Sequence, residues 1–326
     1  MIDYLKFYFF KVSLKTFFVF CKTGFAVIGV ELTLREFFSL HPALGNIVEA
    51  FLKALSESNL EWGFYILLAV IVGFWTSRPK REVSAVIFGT DVRISCKICD
   101  ILTESGDLVI STNTTFDTST EDDFISPKSL QGAFQKKFYG TKKHGIEKLD
   151  AEIKKALSMS TPIEEITDGR RTKTTVYSVG TVAKLSQIDR GFSKFRPYLL
   201  AMATSTASGT TRIELDDFSN ALQCLWDFLR VNGSKTKLCI PLLGTGRSGL
   251  NCPRMIIAKE IIFSFIAYAR NRRIVDELQI CITPSDYFKY EMDLSELQNY
   301  LNVLSKNDTL YDSHSQEMQQ STPING

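Results

Sequence analysis

A run of sixteen uncharged residues, 62–77, constrains the fold more than any other part of the sequence. Leu60 extends the run, and Trp62 and Trp75 lie near its ends, where aromatic residues favour membrane interfaces. At ~1.5 Å per residue, a helix over 60–77 approaches the ~30 Å thickness of the hydrocarbon core. The run predicts a transmembrane helix over about 60–77, and a buried core helix is the alternative.

An earlier apolar run, Thr16 to Val30, is shorter and contains Lys22. A lysine inside the bilayer costs a few kcal/mol unless it reaches the headgroups or faces protein. The run predicts a first transmembrane helix over about 14–32, with Lys22 turned toward the interior of an oligomer. An interfacial helix lying on the membrane is the alternative.

Basic residues flank this pair of runs, whereas acidic residues predominate between them. The positive-inside rule therefore predicts a hairpin in the cell membrane with both termini in the cytoplasm. Apolar residues at helical spacing over 44–55 predict an amphipathic helix within the connecting segment. Residues 1–80 are thus predicted to form a membrane region. The flanking basic residues are Lys6, Lys11, Lys15, Arg78, Lys80 and Arg81.

From residue 83 onward, short β-rich runs alternate with helical runs. This alternation predicts an α/β domain over 83–290, with a mixed central sheet between two helical layers. Residues 291–326 are predicted to form a C-terminal helix and a disordered polar tail. Strands are predicted at 92–102, 108–112, 174–182, 198–203, 237–243 and 277–283, and helices at 130–139, 146–157, 214–230 and 253–269.

The charge balance and the cysteines exclude several function classes. A formal net charge of +2 argues against nucleic-acid binding driven by bulk charge. The seven cysteines lie mostly in apolar runs, which is unlike a secreted disulfide framework. Cys96 and Cys99 form a lone C-x-x-C in a strand-like run, without the further ligands that zinc requires. We expect buried structural thiols in a reducing cytosol and no metal site.

A glycine-rich loop follows the apolar strand predicted at 237–243 and precedes Pro253, which is expected in the first turn of a helix. Closely spaced glycines let backbone N–H groups approach a ligand, and successive N–H groups form an anion-binding nest beside the helix N-terminus. This pattern indicates diphosphate binding, and a plain turn is the alternative. The candidate residues are Gly244, Thr245, Gly246, Arg247, Ser248 and Gly249.

A second candidate loop follows the strand predicted at 108–112, which delivers Asn113 at its carboxyl end. Hydroxyl residues and Asp117 come next. An asparagine side chain both donates and accepts hydrogen bonds, so Asn113 suits a sugar hydroxyl. An asparagine that merely closes a turn is the alternative.

Taken together and in this order, the two loops resemble the macro domain family. The pair Asp100-Ile101, the strand end Ile110-Ser-Thr-Asn113 and the loop Gly244 to Gly249 match elements of its pattern. The resemblance covers about residues 83–290. It implies that Asp100 contacts an adenine amine, that Asn113 contacts the distal ribose and that the glycine loop holds the diphosphate of an ADP-ribose-type ligand.

The sequence also departs from that family. A run of glycines in the first loop is replaced by 126–134, where Gly132 is the expected point of close approach, and the Asn-Ala-Ala-Asn motif is not intact. These departures favour a binding module without catalytic residues and without a cofactor other than the ADP-ribose-type ligand. A membrane-tethered ADP-ribosyl hydrolase using Asn113 and Asp117, or a passive ADP-ribose reader, are the alternatives.

The order of the parts, two membrane segments before a divergent macro domain, resembles the membrane-anchored macro effectors of type II Thoeris anti-phage systems. That resemblance implies a functional partner with a TIR domain, which makes an ADP-ribose-derived signal such as histidine-linked ADP-ribose. It also implies that signal binding drives homo-oligomerisation and membrane disruption.

Overall fold

The computed structural model describes residues 80–306 apart from 121–124, 141, 167–172, 192, 206–210, 247–249 and 271, together with residues 18, 21–22, 24–26, 29, 33 and 67. The chain divides into two units, Met1–Lys80 and Arg81–Gly326. Most of the predicted spans at 14–32 and 60–77, the amphipathic helix and the tail beyond 306 lie outside the described residues. Among the residues described, no helix has the length and apolar character needed to cross a membrane.

A mixed sheet forms the centre of the second unit. Its strands run in the order β1-β2-β12-β11-β3-β9-β10, and β6 also pairs with β9. The strands are β1 (Glu82–Val86), β2 (Arg93–Ile98), β3 (Asp107–Asn113), β4 (Glu164–Glu165), β5 (Thr175–Val176), β6 (Val182–Lys184), β7 (Ile188–Asp189), β8 (Lys194–Phe195), β9 (Pro197–Ser205), β10 (Thr211–Arg212), β11 (Lys237–Pro241) and β12 (Glu277–Ile282). The pairs β4–β5 and β7–β8 are separate two-stranded ribbons.

Helices cover both faces of this sheet. Leu108 and Ile110 of β3 share one core with Phe134, Leu149 and Ile153 of the first two helices. The alternate strand residues point to the other face and are also buried, so the domain has three layers as predicted. The helices are α1 (Leu130–Phe138), α2 (Lys143–Ala156), α3 (Leu215–Asn232), α4 (Arg254–Ala269), α5 (Pro284–Lys289) and α6 (Leu294–Lys306).

Five neighbouring strands, β2, β12, β11, β3 and β9, are parallel, so their carboxyl ends lie along one edge of the sheet. Strand β1 is antiparallel to β2 and begins at that same edge. The carbonyl of Arg81 there accepts a hydrogen bond of 2.8 Å from the amide of Ile98. The second unit therefore starts at the edge where ligands of open α/β sheets bind.

Most elements predicted from the sequence are confirmed, with boundaries shifted by a few residues. The strand predicted at 174–182 is wrong, because Gly180 turns the chain with a φ of +90° between β5 and β6. The strand predicted at 92–102 ends at Ile98, because Asp100 caps a short 3-10 helix, Ile101–Thr103. Strand β1, the short strands β4, β7, β8 and β10, and helix α5 are additions to the prediction.

The cysteine prediction is confirmed for the C-x-x-C pair. Cys96 lies on the sheet face opposite the core that contains Cys99, and both are buried free thiols. Burial raises the pKa of the Cys96 thiol to about 12. The two sulfurs are therefore held apart by the sheet itself.

A buried indole fixes α3 against α4. Trp226 is fully buried, and its Nε1–H donates to Oγ of Ser264 over 2.7 Å. Phe265 packs edge-on against the indole with ring centroids 5.3 Å apart. The Ser264 hydroxyl thus accepts the one hydrogen bond that the indole of Trp226, the largest side chain in the core, can donate.

A polar cluster anchors the turn that carries Asp100. Nζ of Lys97 lies 2.8 Å from Oε2 of Glu104, and Nε2 of Gln279 donates to the same oxygen over 2.9 Å. Burial works to raise the pKa of Glu104, but the hydrogen bonds and charge of its partners outweigh burial and lower it. For Lys97, burial works to lower the pKa, and Glu104 outweighs it and raises the pKa.

We expect Ser264→Ala to lower the free energy of unfolding by ~1–3 kcal/mol, because the buried indole N–H loses its acceptor. Chemical denaturation of the single variants Ser264→Ala and Trp226→Phe and of their combination measures the coupling. The loss caused by Ser264→Ala should shrink in the Trp226→Phe background. An equal loss in both backgrounds would show that the hydrogen bond contributes nothing.

We expect the stabilisation from Glu104 to be complete above pH 4.5, its ordinary pKa, and to disappear as the pH falls through its lowered pKa in the folded protein. Glu104→Gln should therefore lower the melting temperature at neutral pH and make little difference in acid. Thermal unfolding of the two proteins across this pH range measures the difference between their melting temperatures. A difference that grows as the pH falls would contradict the lowered pKa of Glu104.

Candidate functional site

Three of the predicted ligand-contacting residues lie at the carboxyl edge of the parallel strands. Asp100 follows β2, Asn113 ends β3 and Gly244 follows β11. Since these strands are parallel, the sheet brings to one edge three loops that are far apart in the sequence. Such an edge, where the loops of several strands converge, is the usual binding place in an open α/β sheet.

Asp100 is exposed on a firmly held turn. Its Oδ1 accepts from the backbone N–H of Leu102 over 2.9 Å. Arg190 also holds the turn, because its guanidinium donates to the carbonyl of Glu104. The Cζ atom of Arg190 lies 3.7 Å from the centroid of the Phe195 ring. Burial lowers the pKa of the Arg190 guanidinium. Asp100 therefore presents a fixed, accessible carboxylate, as its predicted role requires.

Asn113 and Asp117 bind each other instead of standing separately at the surface. Nδ2 of Asn113 donates to Oδ2 of Asp117 over 2.7 Å, and the Asp117 amide donates back to Oδ1 of Asn113 over 3.0 Å. Thr115 donates to the same Asp117 oxygen over 2.8 Å. Asn113 is 8% exposed and Asp117 is 3% exposed, so this pair shapes the loop from within.

The backbone of this loop is held in an unusual conformation. Phe116 has a φ of +51°, which non-glycine residues seldom adopt. Its carbonyl accepts from Nζ of Lys173 over 2.6 Å, and the same Nζ lies 2.6 Å from Oδ1 of Asp150. Thr118 donates to that Asp150 oxygen over 2.6 Å. Lys173, on a distant segment, is thus a positioning residue that sequence reasoning missed.

Gly132 lies in the first turn of α1, where the chain packs closely on itself. A Cβ atom at this position would lie 2.5 Å from the carbonyl oxygen of Ser126. The Gly132 amide donates to the capping hydroxyl of Ser129 over 3.1 Å. The close approach predicted for Gly132 is therefore real, but in the described residues it is made to the chain's own loop.

The described part of the glycine-rich loop after β11 is bonded internally at Gly244 and Thr245 and is open at Gly246. Gly244 has a φ of +71°, and its carbonyl accepts from the Leu250 amide over 3.1 Å. The Thr245 hydroxyl donates to the carbonyl of Leu242 over 2.7 Å. Gly246 is exposed, and a Cβ atom there would meet no atom within 4 Å. The remaining predicted residues, Arg247, Ser248 and Gly249, lie outside the described residues.

Arg254, the first residue of α4, supports this loop and was also missed by sequence reasoning. It donates to the Thr245 carbonyl over 2.8 Å and stacks 4.4 Å from the centroid of the Tyr290 ring. Nε of Arg254 lies 3.8 Å from Oδ1 of Asp286. Pro253 lies at the N-cap, one residue before the first turn in which it was expected. Its position in the sequence, directly after the glycine loop and Pro253, could have predicted that Arg254 supports the loop.

These contacts divide the described candidate residues into two groups. Asp100 and Gly246 are exposed at the carboxyl edge, where a ligand has access. The others make internal contacts that shape the surrounding loops: Asn113, Asp117, Gly132, Gly244 and Thr245.

Two macrodomain structures from Oceanobacillus iheyensis are similar to this chain at low sequence identity. The macrodomain with ADP is 12% identical with a TM-score of 0.42, covering 67% of this chain and 98% of that one. The macrodomain with MES bound is 14% identical with a TM-score of 0.42, covering 66% and 97%. At these values the two structures carry no argument about this chain.

Sequence comparison gives a firmer result. The Thoeris protein ThsA of Bacillus amyloliquefaciens (strain Y2) is 23% identical over 190 residues, or 56% of this chain and 60% of that relative. This chain thus spans about three fifths of the relative's length. The family model described as the macro domain of the Thoeris protein ThsA matches residues 94–283, more than half of the chain. The chain therefore belongs to the ThsA macro domain family.

Proposed function

We propose that this protein is a membrane-anchored receptor whose macro domain binds an ADP-ribose-derived signal in anti-phage defence. One observation carries the proposal: Asp100 is exposed, and Gly246 has free space around it, at the same edge of the sheet. A carboxylate accepts hydrogen bonds from an adenine amine, and an unobstructed glycine leaves room for a diphosphate. The two features suit the adenine and the diphosphate of one ADP-ribose-type ligand.

Binding without turnover is the form of this function that the loop geometry favours. Asp117, the carboxylate expected of a hydrolase, is 3% exposed and accepts two side-chain hydrogen bonds. A general base has to reach the proton that it removes, directly or through one water. In this arrangement Asp117 stabilises the loop, and the ligand is held as a signal.

The response to the signal is proposed to be self-association and membrane disruption. The uncharged run at 62–77 and the run containing Lys22 support a membrane hairpin with cytoplasmic termini. A signal shifts such a system only by binding one state more tightly than the other. The signal itself would come from a functional partner with a TIR domain, with histidine-linked ADP-ribose as the first candidate.

We expect Gly246→Glu to abolish binding of ADP-ribose and of histidine-linked ADP-ribose, measured by calorimetry on the full chain. A carboxylate at this position repels the diphosphate, yet the open surroundings tolerate the side chain. Gly246→Ala is the matched control, and both variants should melt at the wild-type temperature. Retained binding in a folded Gly246→Glu protein would rule out the loop as the diphosphate site.

We also expect saturating histidine-linked ADP-ribose to increase the mass of the detergent-solubilised full chain in analytical ultracentrifugation. Gly246→Glu should stay at the starting mass, because the response requires signal binding. A wild-type mass that does not change with bound signal would contradict oligomerisation and leave the binding proposal standing.

A further inference from the structure

The outer face of α2 carries a concentration of positive charge. The stretch 128–163, which includes α1 and α2, contains eight lysines, no arginine and three acidic residues. The whole chain has a formal net charge of only +2, so the remainder of the chain is net negative. Four of the lysines are exposed on α2, whereas Leu149 and Ile153 are buried in the core. We call these four the basic face: Lys143, Lys148, Lys154 and Lys155.

Two of the three acidic residues in this stretch are bound by groups outside α2. Oδ1 of Asp150 lies 2.6 Å from Nζ of Lys173 and accepts from the hydroxyl of Thr118 over 2.6 Å. Oε2 of Glu152 accepts from the hydroxyl of Tyr139 over 3.1 Å. These carboxylates therefore serve contacts within the domain and offset little of the charge on the basic face.

Ion pairing at the basic face leaves most of its charge accessible. Nζ of Lys143 lies 4.0 Å from Oε1 of Glu147, yet the Lys143 side chain is 92% exposed, and such pairs contribute little. Within the described residues, Lys154 and Lys155 form no ion pair. Lysines in the last turn of a helix also complement its dipole. The dipole accounts for these two lysines but leaves Lys143 and Lys148 without a reason.

Two large apolar side chains project into solvent directly after this helix. Met159 is 95% exposed and Ile163 is 63% exposed. The Ser160 amide donates to the Leu157 carbonyl over 2.9 Å, and the Ile163 amide donates to the Val176 carbonyl over 2.8 Å. We call Met159 and Ile163 the apolar tip. A hydrogen-bonded segment thus displays the apolar tip close in the chain to the basic face.

We propose that the basic face and the apolar tip together form a docking surface for a lipid bilayer that contains anionic phospholipids. Lysines are attracted to the negative surface of such a bilayer. Exposed apolar side chains are buried at the boundary between its headgroups and acyl chains. The two contributions add, so neither has to be strong alone. The inference goes beyond the function proposed above and does not depend on which signal the domain binds.

The residue types favour a bilayer over other anionic partners. The basic face contains no arginine, the residue suited to bidentate contacts with individual phosphates or carboxylates. Lysines act as point charges, which suits the diffuse negative surface of a bilayer. The apolar tip gains burial in a bilayer, whereas the charged phosphates of a nucleic acid offer it no apolar surface.

The test measures flotation of the full chain, carried in a phosphatidylcholine nanodisc, with added lipid vesicles. Wild type should float with vesicles that contain about 30% phosphatidylserine and should not float with vesicles of phosphatidylcholine alone. Raising the salt from ~0.15 M to ~0.5 M should release the protein, because salt screens the attraction. Wild type that does not float with the anionic vesicles would overturn the docking surface.

Charge reversal on α2 tests the basic face. Lys154→Glu combined with Lys155→Glu should weaken vesicle binding at least ~10-fold, because two attractions become repulsions. Lys235→Glu combined with Lys289→Glu is the matched control, since it changes the net charge equally at exposed lysines elsewhere and should bind like wild type. All four positions are exposed, so both proteins should melt at the wild-type temperature. An equal loss in the control would show that net charge alone drives binding and would overturn the surface.

Met159→Gln tests the apolar tip and separates a bilayer from a nucleic acid. It should weaken vesicle binding ~3-fold or more, because an apolar side chain no longer enters the bilayer. Binding of duplex DNA to the full chain, measured in parallel, should be weaker than binding of the anionic vesicles. If DNA binds more tightly and Met159→Gln changes neither affinity, the partner is a nucleic acid and the lipid assignment is wrong.

Discussion

Five parallel strands are buried on both faces, so the chain can present polar side chains to a ligand only at the strand ends. The amino ends of these strands carry pairs such as Lys237 with Glu277, 3.0 Å apart. The carboxyl ends carry Asp100 and the glycine loop. Because helices occupy both faces, the proposed site is confined to one edge, and its selectivity has to come from loops of limited length.

Within that edge, hydrogen bonding separates the candidate residues that shape the loops from the exposed ones that the proposed ligand would contact. Asn113 and Asp117 satisfy each other, and Lys173 secures the strained backbone at Phe116. Loops held in this way lose little conformational freedom when a ligand binds, which favours affinity. Few of the described candidate residues are then exposed, and their loops are already in place before the proposed ligand binds.

The sequence predicted the fold well because periodicity and burial agree along the chain. Runs such as 198–203 are short and apolar, and α3 carries its apolar residues on one side, which identifies both elements locally. The site was predicted less completely. Asp100 and Gly246 are recognisable from local motifs, whereas Lys173 and Arg190 reach their loops from distant segments. Their roles depend on tertiary contacts that no local pattern records.

The place where β1 starts has a mechanical consequence. The chain enters this unit beside the carboxyl edge, and Arg81 is already bonded to Ile98, two residues before Asp100. A pull directed along the axis of β1 loads its ladder with β2 in shear, so the hydrogen bonds from Glu82 to Val86 resist together. A pull across that axis opens them one at a time, beginning next to the Asp100 turn. The β1–β2 ladder is therefore stiff against a force along the axis of β1 and compliant against a force across it.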